Sequence, residues 1–140
     1  MFSFEIKREI NLSNYKKHFF QAVSNSSWAH EGYLVTLQLK DDEYLKQDLE
    51  RLNHAFGIGI IVLDPAHMEQ SDILYPAKSK KNLDIDTVDM LVSNNKNFEE
   101  FVDDVVADIE HGKRVRGKYD RELSADEIVR HIKEHHLSEK

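Results

Sequence analysis

Phe2-Ser3-Phe4-Glu5-Ile6-Lys7 places an apolar residue at every second position. Successive side chains of a strand point to opposite faces, so this stretch reads as a strand with Phe2, Phe4 and Ile6 on one face and Glu5 and Lys7 together on the other. Ser13 then reads as the cap of a helix whose apolar stripe is Tyr15, Phe19, Ala22 and Val23, with Lys17, Gln21 and Ser24 opposite. Past Gly32, Tyr33 to Leu39 reads as a second strand. Asp41 or Asp42 opens a second helix in which Leu45, Leu49, Leu52 and Phe56 recur at helical spacing. The nearly continuous apolar run Ile58 to Leu63, stopped by Asp64-Pro65, predicts a central strand covered on both faces. Ser71 to Tyr75, limited by Pro76, predicts a short edge strand. Such alternation implies an α/β domain with a mixed, mostly parallel sheet of about four strands flanked by helices.

The rest of the chain reads as helical. Asp84 to Val92 and Asn97 to Glu110 form two helices, the second capped by Asn97, striped by Phe98, Phe101/Val102, Val105 and Ile109, and stopped by Gly112. Ser124-Ala125-Asp126-Glu127 is a capping box that starts a last helix through Ile128 and Ile132. The expected organisation is an α/β domain over 1–112 followed by a basic hinge and C-terminal helix over 113–140.

Composition narrows the function classes. With 40% hydrophobic and 32% charged residues, the 140-residue chain has the balance of a folded domain. The absence of Cys excludes disulfides, thiol nucleophiles and Cys-ligated metals. Glu5 and Lys7 interrupt the start where a secretory signal needs an apolar run, and no stretch reaches the ~20 apolar residues of a membrane span, so a cytoplasmic chain without a membrane partner is expected. Net charge is −7, unevenly distributed. Between Asp84 and Glu110 only Lys96 opposes a run of acids, and that segment should repel phosphate. Lys78, Lys80 and Lys81, and further on Lys113, Arg114, Arg116, Lys118 and Arg121, are the basic runs able to meet a DNA backbone.

Glu5 and Lys7 are the chemical core of the sequence. Hydrolysis of a phosphodiester with Mg²⁺ (or Mn²⁺) needs carboxylate oxygens for the metal and a nearby cation to orient the attacking water and offset transition-state charge. Followed by a helix presenting Lys17, Gln21 and Ser24 and then by a parallel-type strand, the triplet has the context of the second half of a PD-(D/E)xK nuclease core.

The segment Glu5 to Ile10, the block Phe19 to Val35 with its Ser24-Asn25-Ser26-Ser27-Trp28 centre, Phe56 to Ile61, Ile73 to Ala77 and Leu83-Asp84 resemble HrgA-like bacterial proteins associated with restriction–modification genes. The resemblance runs from about Glu5 to Phe101. It implies a restriction-endonuclease-like fold, with Glu5 as metal-binding carboxylate, Lys7 as catalytic lysine and Gln21 as the supporting helix glutamine. In that family a winged-helix-like part and a strand bearing Pro-Asp precede the E-x-K strand, and neither precedes Glu5 here. The expectation is a weakly metal-binding, weakly active or inactive half of a DNA endonuclease-like domain. The alternative is a non-catalytic DNA- or protein-binding module. The missing acid would come from an upstream chain or a substitute, with Glu9 and Asp64 nearest by position. The apolar face and edge of the first strand would be covered by a second copy, forming a homodimer, or by the chain's own segment Lys113 to Leu137.

Ser24, Asn25, Ser26 and Trp28 end the first helix with hydroxyl, amide and indole groups suited to phosphate or base contact, alongside Lys17. Three other patterns lead nowhere. Gly57-Ile-Gly59 precedes a strand instead of joining strand to helix, so it cannot cradle a dinucleotide pyrophosphate. His131-Ile-Lys-Glu-His135 fits a zinc-peptidase pattern but reads as a solvated helix end. No serine lies in a nucleophile elbow.

Overall fold

The computed structural model describes residues 1–112 and 123–134. They pack as two compact units, one over Met1–Asp84 and one beginning at Ile85, a division earlier in the chain than the boundary expected at 112. The runs 113–122 and 135–140 lie outside the described residues, and with them the basic hinge and His135.

The first unit is an α/β layer. In chain order it contains β1 (Phe2–Ile10), α1 (Tyr15–Asn25), β2 (Glu31–Leu39), α2 (Glu43–Phe56), β3 (Gly59–Val62), a short 3₁₀ turn at Met68–Gln70 and β4 (Asp72–Tyr75). The four strands form an open sheet in the order β1-β2-β3-β4. β1, β2 and β3 are parallel and β4 runs antiparallel to β3, so the sheet is mixed. Both helical crossovers advance the same way across the sheet, which puts α1 and α2 on one face. The core lies between them and the sheet: Phe19 and Ala22 from α1, Leu45, Leu49 and Leu52 from α2, and Leu34, Ile58 and Ile60 beneath. Phe56 joins α2 to α1 edge-on through Phe19 and Phe20.

β1 is oriented against the usual rule. Its polar residues Ser3, Glu5 and Lys7 face α1, whereas Phe2, Phe4 and Ile6 are 57%, 54% and 64% exposed on the opposite face. Phe4 stacks on Tyr33 of β2 at a centroid distance of 5.8 Å. Gly59 makes room for that ring, since a Cβ there would lie 2.3 Å from a Tyr33 ring carbon. Ile73 of β4 is also 56% exposed. In β3, Gly59 and Ile60 are buried but Ile61 and Val62 only half-buried, which corrects the expectation of a central strand covered on both faces. Two parallel crossovers of one hand supply helices to one side only.

Local signals settle the element ends. Asp42 caps α2 by accepting from Leu45 N–H, and Gly57 ends it in the left-handed conformation at φ 74°. Thus Gly57 and Gly59 have separate structural duties. Ser13 does not cap α1: Asn14 holds that position, while Ser13 turns back to Asn11.

The second unit holds α3 (Ile85–Asn94), α4 (Lys96–His111) and α5 (Ala125–Glu134). Asn95, not Asn97, caps α4 by accepting from Phe98 N–H, because the helix begins two residues earlier than its apolar stripe suggests. Ser124 and Glu127 exchange the reciprocal bonds of a capping box at α5. No described helix is long and apolar enough to cross a membrane.

Candidate functional site

Parallel pairing sets the geometry of the Glu5–Lys7 site. Glu5 lies beside Leu34 and Lys7 beside Thr36, all on the helix-covered side of the sheet. Lys7 Nζ contacts Glu5 Oε1 at 2.6 Å, with side-chain exposures of 22% and 17%. The other carboxylate oxygen accepts from Asn25 Nδ2 at 2.8 Å. Ser3 Oγ donates to the Asn25 carbonyl one strand repeat away, fastening the end of α1 over β1.

His18, Gln21 and Asn25 follow one another at helical spacing along α1. The His18 ring nitrogen Nδ1 and Gln21 Oε1 are 3.2 Å apart. Gln21 is therefore placed on the helix above β1 with His18 as its hydrogen-bonding partner. The Glu5 carboxyl is held below its ordinary value, chiefly by the Lys7 hydrogen bond, then by Asn25, with His18 adding charge attraction and burial opposing. A carboxylate so held stays ionised at neutral pH. It suits a charge-bearing or ligating role better than proton exchange.

The metal expectation can be set against this donor set. Mg²⁺ takes a near-octahedral set of oxygens, normally including one or two carboxylates. Here one carboxylate is present and both its oxygens are engaged, and the described residues contain no group of three or more His, Asp or Glu able to hold an ion. Glu9 and Asp64 do not complete such a group: Glu9 accepts from Asn11, and Asp64 caps the turn at Ala66 and His67. The described side chains alone do not fit a Mg²⁺ or Mn²⁺ site.

The proposed nucleic-acid contacts divide. Lys17, Ser24 and Lys81 are exposed. Asn25 is exposed but binds Glu5. Ser26 is a correction: it is 1% exposed and its hydroxyl donates to Val23 C=O, so it closes the helix instead of facing a ligand. Trp28 is half-buried. Lys78 Nζ donates to the His54 carbonyl at 2.7 Å, and Lys80 Nζ to the Ser26 carbonyl at 3.0 Å. Each places a cation where the negative end of a helix dipole wants one, α2 for Lys78 and α1 for Lys80.

His18 was absent from the sequence-level site, and Asn25 entered it only as a DNA contact. Their spacing from Gln21 was the available signal. No known protein family, curated protein or solved structure matches the chain.

Proposed function

We propose that the β1–α1 face is one half of a PD-(D/E)xK-type phosphodiester site in a restriction-endonuclease-like domain acting on DNA. The observation that carries this reading is the Glu5–Lys7 ion pair on the helix side of β1, flanked by Asn25 and the His18–Gln21 pair. Lys7 supplies the cation that meets phosphate charge, and Glu5 supplies an ionised carboxylate. A bound Mg²⁺ or Mn²⁺ would polarise the phosphate and lower the pKa of an attacking water, but only once a second acid joins Glu5. That acid, in this reading, arrives from another chain or segment pairing beside β1, and the chain alone is nearly silent. Exposed Lys17 and Lys81 then serve the DNA backbone.

Occupation of both Glu5 oxygens favours a second reading, a non-catalytic DNA-binding module on the same face. One pair of measurements tests both. Fluorescence anisotropy with a short duplex at low salt should show binding that weakens several-fold in Lys17→Ala and falls as salt rises. Nicking of supercoiled plasmid with Mn²⁺ should be at trace level and vanish in Glu5→Gln and Lys7→Ala. Binding without any nicking selects the second reading. Absence of binding, or nicking indifferent to both substitutions, refutes the half-site.

A further inference from the structure

Strand register carries three rows of residues onto the face of the sheet away from α1 and α2. Residues in register share a face, so Ile6, Val35, Ile61 and Ile73, one from each strand, form a row across the whole sheet. Phe4, Tyr33 and Gly59 form the next row, and Phe2 and Glu31 the last. Phe2, Phe4, Ile6 and Ile73 are each more than half exposed, whereas Val35 in their midst is buried. The aromatic part is held in place: Phe2 stacks on Phe4 at 6.4 Å, Phe4 on Tyr33 at 5.8 Å, and Tyr33 Oη donates to Glu31 Oε2 at 3.0 Å. A face already ordered in this way loses little side-chain freedom on docking.

Charge and size select its occupant. Glu31 is the only charged residue in the three rows, and a lone acid repels phosphate, so neither a nucleic acid nor an anionic membrane suits the face. A whole Phe presents roughly 150–250 Å², so the exposed parts of two Phe and two somewhat smaller Ile amount to about 400 Å² of apolar surface. A standard protein interface takes ~800 Å² from each partner, of which ~56–65%, or about 450–520 Å², is apolar. The four exposed side chains, with half-buried Tyr33 and Ile61 beside them, supply that content.

We infer that this face packs against the same face of a second copy, sheet on sheet about a two-fold axis, giving a four-layer α/β/β/α dimer. An isologous contact sets one patch against itself, so a single interface closes the apolar face of both copies. The two sheets lie ~10 Å apart, with Phe4, Ile6 and Ile73 of each copy in the layer between them. The outer edge of β1 stays free, and α1 and α2 of each copy become the outside layers. Both Glu5–Lys7 pairs then face outward, so the contact lends the proposed half-site no residue and does not depend on it.

Sedimentation equilibrium of the full chain should give a dimer, and the urea midpoint should rise with protein concentration. Phe4→Glu and Ile73→Glu each put a charge into the packed layer and should each be monomeric. Both side chains are exposed in the single chain, so both variants should keep the wild-type circular dichroism. Should either misfold, Phe4→Ser and Ile73→Ser remove apolar area without adding charge and should weaken the dimer by more than about tenfold. Tyr44→Glu makes the same apolar-to-acid change on α2, where Tyr44 is 78% exposed, and should stay dimeric. Ile73 separates face from edge, because it lies on β4, the edge strand opposite β1. A dimer lost in Phe4→Glu but kept in Ile73→Glu is paired through the β1 edge and overturns the inference. So does a dimer that survives both face substitutions, or one lost in Tyr44→Glu. A wild-type monomer, or a midpoint that ignores concentration, overturns it as well, including a monomer in which another part of the chain shields Phe4 from hydroxyl-radical oxidation. Duplex binding and nicking are read on the other side of the sheet, so their failure refutes the half-site and leaves this contact standing.

Discussion

At Glu5 two neighbours compete with partial burial, and the neighbours win. Lys7 and Asn25 each hold one carboxylate oxygen, and the carboxyl is lowered from its ordinary 4.5. Folding therefore favours the ionised form. The resulting stability is complete above the ordinary carboxylate value and is lost as pH falls through the lowered folded value. Glu5→Gln should lower the urea midpoint at about pH 7, and its gap from wild type should close in acid, below 4.5. A gap that persists unchanged into acid would show that the carboxylate charge contributes nothing to folding. That Glu5 and Lys7 share a side was legible from the period of the strand. That Asn25 completes the Glu5 shell was not, because 20 residues separate them and the contact exists only once α1 has crossed back over β1.

Among elements, those with strong apolar spacing were the legible ones, and those defined by polar joints were not. Of the α2 stripe, Leu45, Leu49 and Leu52 are buried as their spacing requires, whereas Phe56 at its end is 45% exposed. Asn53, beside it, gives no such signal, yet it is 5% exposed and its amide donates to the carbonyls of Ile58 and Pro76, each at 2.8 Å. This one side chain ties the end of α2 to the approach of β3 and the exit of β4. Asn53→Ala leaves two carbonyls without that donor and should cost ~1–3 kcal/mol in chemical denaturation, within the range for an unsatisfied buried group. A loss below about 0.5 kcal/mol, the scale of ordinary surface substitutions, would mean that water replaces the amide and the joint is not structural. The orientation of β1 was half legible. Alternation separated Phe2, Phe4 and Ile6 from Glu5 and Lys7, but only the crossover hand decides which set meets α1.

Over the molecule as a whole, burial is concentrated in one unit, and stability should follow it. Among the described residues, every buried apolar one lies in the first unit, including Leu34, Leu45, Leu49 and Ile60 at 0% exposure. In α3 and α4 no residue is buried, and the apolar positions Ile85, Met90, Val106 and Ile109 are 59%, 54%, 47% and 77% exposed. Favourable transfer free energy scales with apolar area removed from water, so helices without a buried position open locally at smaller free energy than a strand or helix in a core. Their caps offset only part of this: the Asn95 bond to Phe98 N–H contributes about 1 kcal/mol by analogy with other N-caps. Hydrogen exchange on the intact chain should therefore show the slowest amides in α2, β2 and β3. Amides of α3 and α4 should exchange far sooner, and Leu49→Ala should accelerate the slow group with little effect on the fast one. Equal protection across α2 and α4, with both lost together in Leu49→Ala, would show that the two units unfold as one.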